Sequence, residues 1–145
     1  MLVTKEIEID MGHRVPNHKS KCKNPHGHRY KIELGVDDKV ISTRGESNEG
    51  MVIDYGDMKE ILMKVINDRF DHGFVMYGED EIAPIFSQLK EGLGMQIIFT
   101  PFIPTAENLA EHWFHLLEYE LEQKRIKIKY VKVWETPTST ATYQK

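Results

Sequence analysis

One stretch organises the chain: residues Asp10 to Leu34 read DMGHRVPNHKSKCKNPHGHRYKIEL. It contains four of the seven histidines and the only cysteine. Apolar and polar residues alternate before this stretch and again at its end, and a period of two is typical of a strand with one buried face. We therefore predict two strands, over about Leu2–His13 and Gly27–Val40, joined by a polar loop.

Three of these histidines, His13, His26 and His28, fall on the apolar side of the alternation. Residues two apart in an extended chain point to the same side, so His26 and His28 present parallel imidazoles, and a neighbouring antiparallel strand can bring His13 beside them. Three neutral imidazoles suit a catalytic zinc ion with an open fourth position. The alternative is a set of core histidines hydrogen-bonded to their neighbours.

Cys22 lies four residues before His26 in the polar loop, which argues against a place in the core. It is either a fourth ligand in a closed structural zinc site or a free thiol beside an open one. Lys21 and Lys23 favour the thiolate form. A thiolate next to a metal suits proton abstraction from a carbon beside a polarised oxygen.

The rest of the chain predicts one α+β domain over residues 1–145. Its clear elements are an amphipathic helix over Tyr55–Arg69, a second helix capped by Thr105, and strands over Ile126–Glu135 and Thr138–Tyr143. Residues 73–104 are harder to interpret, with a short helix expected at 81–91 and a short strand at 95–100. The order strand-strand-helix-helix-strand-strand predicts an antiparallel four-stranded sheet with two helices on one face.

Two acidic features stand outside the opening stretch. Asp71-His72 follows the first predicted helix, and such a dipeptide at a helix end is by itself typical of a structural turn. Glu135 shares the parity of the valines in its strand, so its carboxylate falls on an apolar face and needs a partner. A guanidine-like ring edge with two N–H donors would be such a partner. The alternative is a glutamate in the turn before Pro137.

Composition limits the class of protein. Hydrophobic residues make up 40% and charged residues 29%, as in soluble globular proteins. No apolar run approaches the ~20 residues of a membrane span, and a net charge of −4 argues against nucleic-acid binding. One cysteine fits a reducing cytoplasm. The strand-like pattern at the first residues leads us to expect no targeting segment.

Taken together, the motifs resemble the 6-pyruvoyl-tetrahydropterin synthase superfamily. C-x-x-x-H-G-H with an upstream His-Arg, then VIDYGDMK, DH, PTAENLA and WET occur in the family's order. The three residues between Cys22 and His26 resemble the 6-carboxy-tetrahydropterin synthase branch of queuosine (7-deazapurine) biosynthesis. Two features depart from the family pattern: Asp10-Met11-Gly12 replaces an aromatic-x-Ala triplet, and the segment 73–104 is long.

The resemblance implies a tunnelling fold, in which sheets from several subunits join into a barrel, and a hexamer made of two trimers with sites at subunit interfaces. The implied roles are zinc ligands for His13, His26 and His28, base for Cys22, proton relay for His72 with Asp71, pterin anchor with a catalytic share in the relay for Glu135, and substrate binding for Thr105 and Glu107. The implied reaction converts 7,8-dihydroneopterin triphosphate to 6-carboxy-tetrahydropterin, releasing triphosphate and acetaldehyde. The alternatives are the sister reaction to 6-pyruvoyl-tetrahydropterin and a non-catalytic pterin-binding protein with structural zinc.

Overall fold

A computed structural model describes the whole chain, residues 1–145. The strands are β1 (Leu2–His13), β2 (His26–Asp37), β3 (Phe74–Tyr77), β4 (Ile97–Thr100), β5 (Ile128–Thr136) and β6 (Ser139–Gln144). The helices are α1 (Tyr55–Leu62), α2 (Asp68–Phe70), α3 (Ala83–Leu93) and α4 (Ala106–Gln123). A π-helical stretch, Met63–Asn67, joins α1 to α2, so the two form one continuous helix.

β1 and β2 form a long antiparallel hairpin that fixes the position of the histidines. The pairing runs from Leu2 opposite Asp37 to His13 opposite His26. Alternate residues of both strands are buried, as the period of two predicts. His13, His26 and His28 therefore share the helix-covered face at the loop end of the hairpin, where Met11 is opposite His28.

The sheet has six strands rather than the four predicted, in the order β4-β3-β1-β2-β5-β6. β1, β2, β5 and β6 are antiparallel as expected, but β3 pairs parallel to β1, and β4 parallel to β3. The α+β class is confirmed, whereas the prediction of four strands and two helices was wrong. Residues 73–104 form β3, α3 and β4, and strands of four residues are too short to show a clear alternation.

The predicted Thr105 cap is present, Asp54 caps the first helix, and both helices cover the sheet. The side chain of Asp54 accepts a hydrogen bond from the Gly56 N–H at 2.6 Å, and the Thr105 hydroxyl accepts one from the Asn108 N–H at 3.4 Å. α4 buries a stripe of apolar side chains that pack on β5 and β6: Leu109, Ala110, Trp113, Phe114, Leu117 and Leu121. No helix combines the length and apolar character needed to cross a bilayer.

A side chain at Gly12 would collide with β3. A Cβ atom at this position would lie 2.5 Å from the ring of Phe74, which is closer than real Cβ contacts. The parallel pairing of β3 with β1 begins at the same place, with Gly12 opposite Phe74. With the Phe74 ring in this position, residue 12 has room only for glycine.

Candidate metal centre and the adjoining cavity

The three predicted histidines meet at the loop end of the β1–β2 hairpin. One ligating nitrogen from each of His13, His26 and His28 lies within 4.8 Å of the other two. The Nε2 atoms of His13 and His26 are 3.1 Å apart. His13 is buried, and the other two are partly exposed towards the open side. The arrangement is a possible three-histidine metal site with one side left open.

Backbone carbonyls fix the tautomers of two of these imidazoles. Nδ1 of His13 lies 2.7 Å from the Pro104 oxygen, and Nδ1 of His26 lies 2.7 Å from the Asn24 oxygen. Because a carbonyl oxygen only accepts, each Nδ1 carries the proton and each Nε2 presents a lone pair. A tetrahedral zinc ion with Zn–N bonds of 2.0–2.1 Å would hold two nitrogen ligands about 3.3 Å apart. The donor set therefore fits a metal ion between the Nε2 atoms.

Electrostatics favour the neutral imidazole, which is the form that binds metals. Burial lowers the pKa of His13, and the nearby imidazole of His26 lowers it further, against the opposing effects of the Pro104 carbonyl and Glu135. Burial also lowers the pKa of His28, opposed by the charge of Glu135. Neither histidine needs to lose a proton near neutral pH before it can bind a cation.

A cavity of about 230 Å³ opens beside His13. The predicted base and the predicted substrate-binding residues all line it: Cys22, Thr105, Glu107 and Glu135. Cys22 is half-buried in a short 3₁₀ turn, Lys21–Lys23, whose two lysines are exposed. The structure therefore brings one candidate ligand, one thiol and two carboxylates from four separate parts of the chain to a single cavity.

Tyr30 also belongs to this site, and the sequence interpretation missed it. Its hydroxyl lies 3.3 Å from both ring nitrogens of His13, and its ring lies edge-on to His13 and His28. Burial, and secondly the charge of Glu135, raise the pKa of Tyr30 far above its usual value. The Nδ1–H of His13 donates to Pro104 and its Nε2 presents a lone pair, so the Tyr30 hydroxyl is the donor here, and it faces both Nε2 of His13, at 3.3 Å, and the carboxylate of Glu135. The alternation of the strand already placed Tyr30 on the same face as His28, because it lies two residues further along the chain.

Glu135 lies where β5 brings it close to the histidines. Its Oε1 atom is 3.6 Å from Nε2 of His13, and its side chain is 29% exposed. One side of the carboxylate thus faces Tyr30 and His13, while the other faces the cavity. The carboxylate on this apolar face therefore has the Tyr30 hydroxyl as its donor on the interior side and remains accessible to a ligand on the other.

Asp71 and His72 do not reach this cavity within one chain. Asp71 is fixed by the Asp10 N–H, which donates to its Oδ1 at 2.9 Å, and its Oδ2 accepts from Nδ1–H of His72 at 2.8 Å. These bonds lower the pKa of Asp71, that from Asp10 most. The His72 side chain is 78% exposed and lines a separate, shallow depression together with Gly27 and His28.

Comparison with known proteins places the chain in a family. The family model described as 6-pyruvoyl tetrahydropterin synthase matches residues 2–145. The chain belongs to this family. It is 34% identical to the 6-carboxy-5,6,7,8-tetrahydropterin synthase of Haemophilus influenzae, over 98% of this chain and 97% of that protein. It is 32% identical to the protein of the same name from Aquifex aeolicus, over 98% of this chain and 96% of that protein.

Solved structures agree with a 6-pyruvoyl tetrahydropterin synthase fold. An uncharacterized protein from Wolinella succinogenes superposes with a TM-score of 0.82 at 21% identity, covering 99% of this chain and 97% of that one. The 6-pyruvoyl tetrahydropterin synthase of Caenorhabditis elegans superposes with a TM-score of 0.70 at 23% identity, covering 100% of this chain and 95% of that one. At these sequence identities the structural similarity is evidence for the fold only. The family membership predicted from the motifs is confirmed.

Proposed function

We propose that this protein is a zinc-dependent 6-carboxy-tetrahydropterin synthase of queuosine biosynthesis. It would convert 7,8-dihydroneopterin triphosphate to 6-carboxy-5,6,7,8-tetrahydropterin, releasing triphosphate and acetaldehyde. The observation that supports this most is the convergence of His13, Cys22 and Glu135 on one cavity. It occurs in a chain whose relatives at 32–34% identity carry the name of that enzyme.

His13, His26 and His28 would hold the zinc ion through their Nε2 atoms or, for His28, through either ring nitrogen. A zinc ion held there would supply Lewis-acid chemistry, making the C–H groups next to a coordinated substrate oxygen more acidic. The Pro104 carbonyl accepts a hydrogen bond from His13 and the Asn24 carbonyl accepts one from His26, which fixes the orientation of both imidazoles. Metal-ligating histidines usually have such a partner.

Glu135 anchors the pterin ring in this proposal. The N3–H and 2-amino groups of a pterin form two parallel donors, and a carboxylate accepts such a pair in bidentate fashion. The Tyr30 hydroxyl faces Glu135 from the protein interior and is the donor that would orient the carboxylate before the substrate arrives. Thr105 and Glu107, at the start of α4, line the opposite part of the cavity wall and complete the substrate contacts.

Proton transfer is assigned to Cys22 and His72. Cys22 as thiolate removes a proton from the substrate carbon chain, because its half-buried thiol lines the same cavity as His13. Asp71 accepts the Nδ1–H of His72, which leaves Nε2 free to give or take a proton. The exposed lysines of the same loop, Lys21 and Lys23, suit the triphosphate.

An oligomer would bring these groups together. β6 is an edge strand, and β1 pairs with β3 only at Gly12 and His13, so the preceding part of β1 also has a free edge. Free edges with unpaired N–H and C=O groups are templates for pairing with another chain. We propose that copies join along these edges into trimers, that two trimers form a hexamer, and that His72 of one copy serves the cavity of another.

The test is to incubate the zinc-loaded protein with dihydroneopterin triphosphate and identify the pterin product by mass spectrometry. We expect 6-carboxy-tetrahydropterin together with free acetaldehyde. A 6-pyruvoyl product would instead support the sister reaction, the one named in the family model and in the Caenorhabditis elegans structure. No turnover by folded, zinc-loaded protein would contradict both and leave a pterin-binding role.

A further inference from the structure

A buried ion pair joins the residue after His13 to the turn between β3 and α3. Arg14, the residue after His13, is only 8% exposed, and its Nε donates to Oδ2 of Asp80 at 2.7 Å. The Asp80 side chain is completely buried. Glu81 also lies near the same guanidinium, at 3.6 Å, but its side chain is 84% exposed. Removing two charges from water costs free energy that a well-packed apolar pair would not, so stability is a weak explanation for this pair.

Asp80 is a rigid anchor. Its N–H donates to the Tyr77 carbonyl at 3.1 Å, its Oδ1 accepts from the Ile82 N–H at 3.0 Å, and its carbonyl accepts from the Ala83 N–H at 2.9 Å. These bonds tie Asp80 into the turn between β3 and α3. The segment that the sequence left hardest to interpret therefore supplies a fixed carboxylate to the residue beside His13.

Arg14 in turn fixes the loop that carries Cys22. The N–H of its neighbour Val15 donates to the Cys22 carbonyl at 2.8 Å, which closes the loop at its base. The loop contains Pro16 and Pro25, which have no N–H to donate, so it has fewer backbone bonds available to hold it. The Arg14 side chain is thus the buried charged contact that joins this loop to the rest of the fold.

We propose that Arg14 and Asp80 are positioning residues that set the location of the Cys22 thiol relative to His13. This rests on the role of Cys22 as base in the proposed function. Neither residue lines the cavity, so the pair acts on the rate of the chemical step rather than on substrate binding. A displacement of about 1 Å at a reacting group is enough to cost on the order of a hundredfold in rate.

Asp80→Asn is the sharpest single change, because it removes the charge while keeping an acceptor for the Ile82 N–H. We expect kcat to fall about ten- to a hundredfold with KM and zinc content unchanged, and the rate of Cys22 alkylation by iodoacetamide at fixed pH to change several-fold. Glu81→Gln is the matched control, because it removes the exposed carboxylate near the same guanidinium. It should leave kcat, KM and the alkylation rate at wild-type values.

A double variant separates position from stability. Arg14→Met with Asp80→Asn removes both charges, so that no buried charge is left without a partner, and it keeps the acceptor for the Ile82 N–H. We expect this variant to be more thermally stable than Asp80→Asn, with the same low kcat and altered alkylation. Wild-type kcat and alkylation in both folded variants would overturn the proposal. If the wild-type protein itself shows no turnover, the proposed function fails, and the alkylation rates alone decide whether the pair positions the thiol.

Discussion

Two imidazole–carboxylate pairs in this chain have opposite surroundings. His13 is 1% exposed and lies 3.6 Å from Glu135, while His72 is 78% exposed and hydrogen-bonded to Asp71 at 2.8 Å. Burial lowers the pKa of His13 and keeps it a neutral ligand. His72 is open to solvent and fixed by a carboxylate, which suits an exchangeable proton. In each chain the candidate metal-binding half of the site is therefore enclosed, whereas the proposed relay half is exposed.

The largest effect on turnover is expected from removing a ligand of the candidate metal site. His28→Ala removes one of three candidate zinc ligands and should abolish both stoichiometric zinc and turnover, because two histidines do not complete the site. Zinc is measured by elemental analysis of the purified protein. His115→Ala, on α4 away from the cluster, is the control and should keep its zinc. Full zinc in His28→Ala would rule out the three-histidine assignment.

Cys22→Ala distinguishes a base from a ligand. We expect full zinc content and a loss of turnover of about 10²- to 10⁴-fold, the usual contribution of a positioned acid or base. Elemental analysis and steady-state kinetics on the same sample measure both. Loss of zinc would make Cys22 a fourth ligand, and turnover at the wild-type rate would remove it from the mechanism.

Tyr30→Phe tests how the enclosed carboxylate is held. Without the hydroxyl, Glu135 loses an internal donor, and we expect KM for the pterin to rise about tenfold, the equivalent of one hydrogen bond to a charged group. Tyr130→Phe is a matched control, because the Tyr130 hydroxyl donates to Glu33 at 2.6 Å away from the cavity. An equal KM in both variants would show that Tyr30 has no part in substrate binding.

The smallest effect concerns His112, a partly buried histidine between Phe70 and Phe102. Desolvation lowers its pKa below 6.5, with His115 and Arg69 acting in the same direction. The folded state therefore binds fewer protons than the unfolded state, so the contribution of His112 is most favourable above pH 6.5 and is lost as the pH falls below it. As the pH falls from 7.5 to 5.5, the wild type should lose free energy of unfolding that His112→Gln keeps. Urea unfolding at the two pH values should therefore show the difference between the two proteins shifting in favour of His112→Gln.

The sequence predicted those features of the fold and the site that depend on residues close together in the chain. The positions of His13, His26 and His28 follow from strand parity, because a period of two fixes the face of each residue. β3 was missed because four residues show too little alternation. The short strand expected at 95–100 is β4, but the parallel pairing of β3 and β4 in the sheet depends on contacts distant in sequence. The same alternation could have predicted that Tyr30 lies on the face of His26 and His28. The exposure of His72 depends on how the turn after α2 meets β1, which no local pattern reveals.

The most direct test of a site divided between copies is subunit mixing. Cys22→Ala and His72→Ala, each inactive alone, are co-expressed with different tags, and oligomers that carry both tags are purified. If Cys22 and His72 of a working site come from different copies, random assembly gives intact sites at about a quarter of positions, and turnover should return to about a quarter of the wild-type rate. Zinc-loaded mixed oligomers that stay inactive would contradict the account.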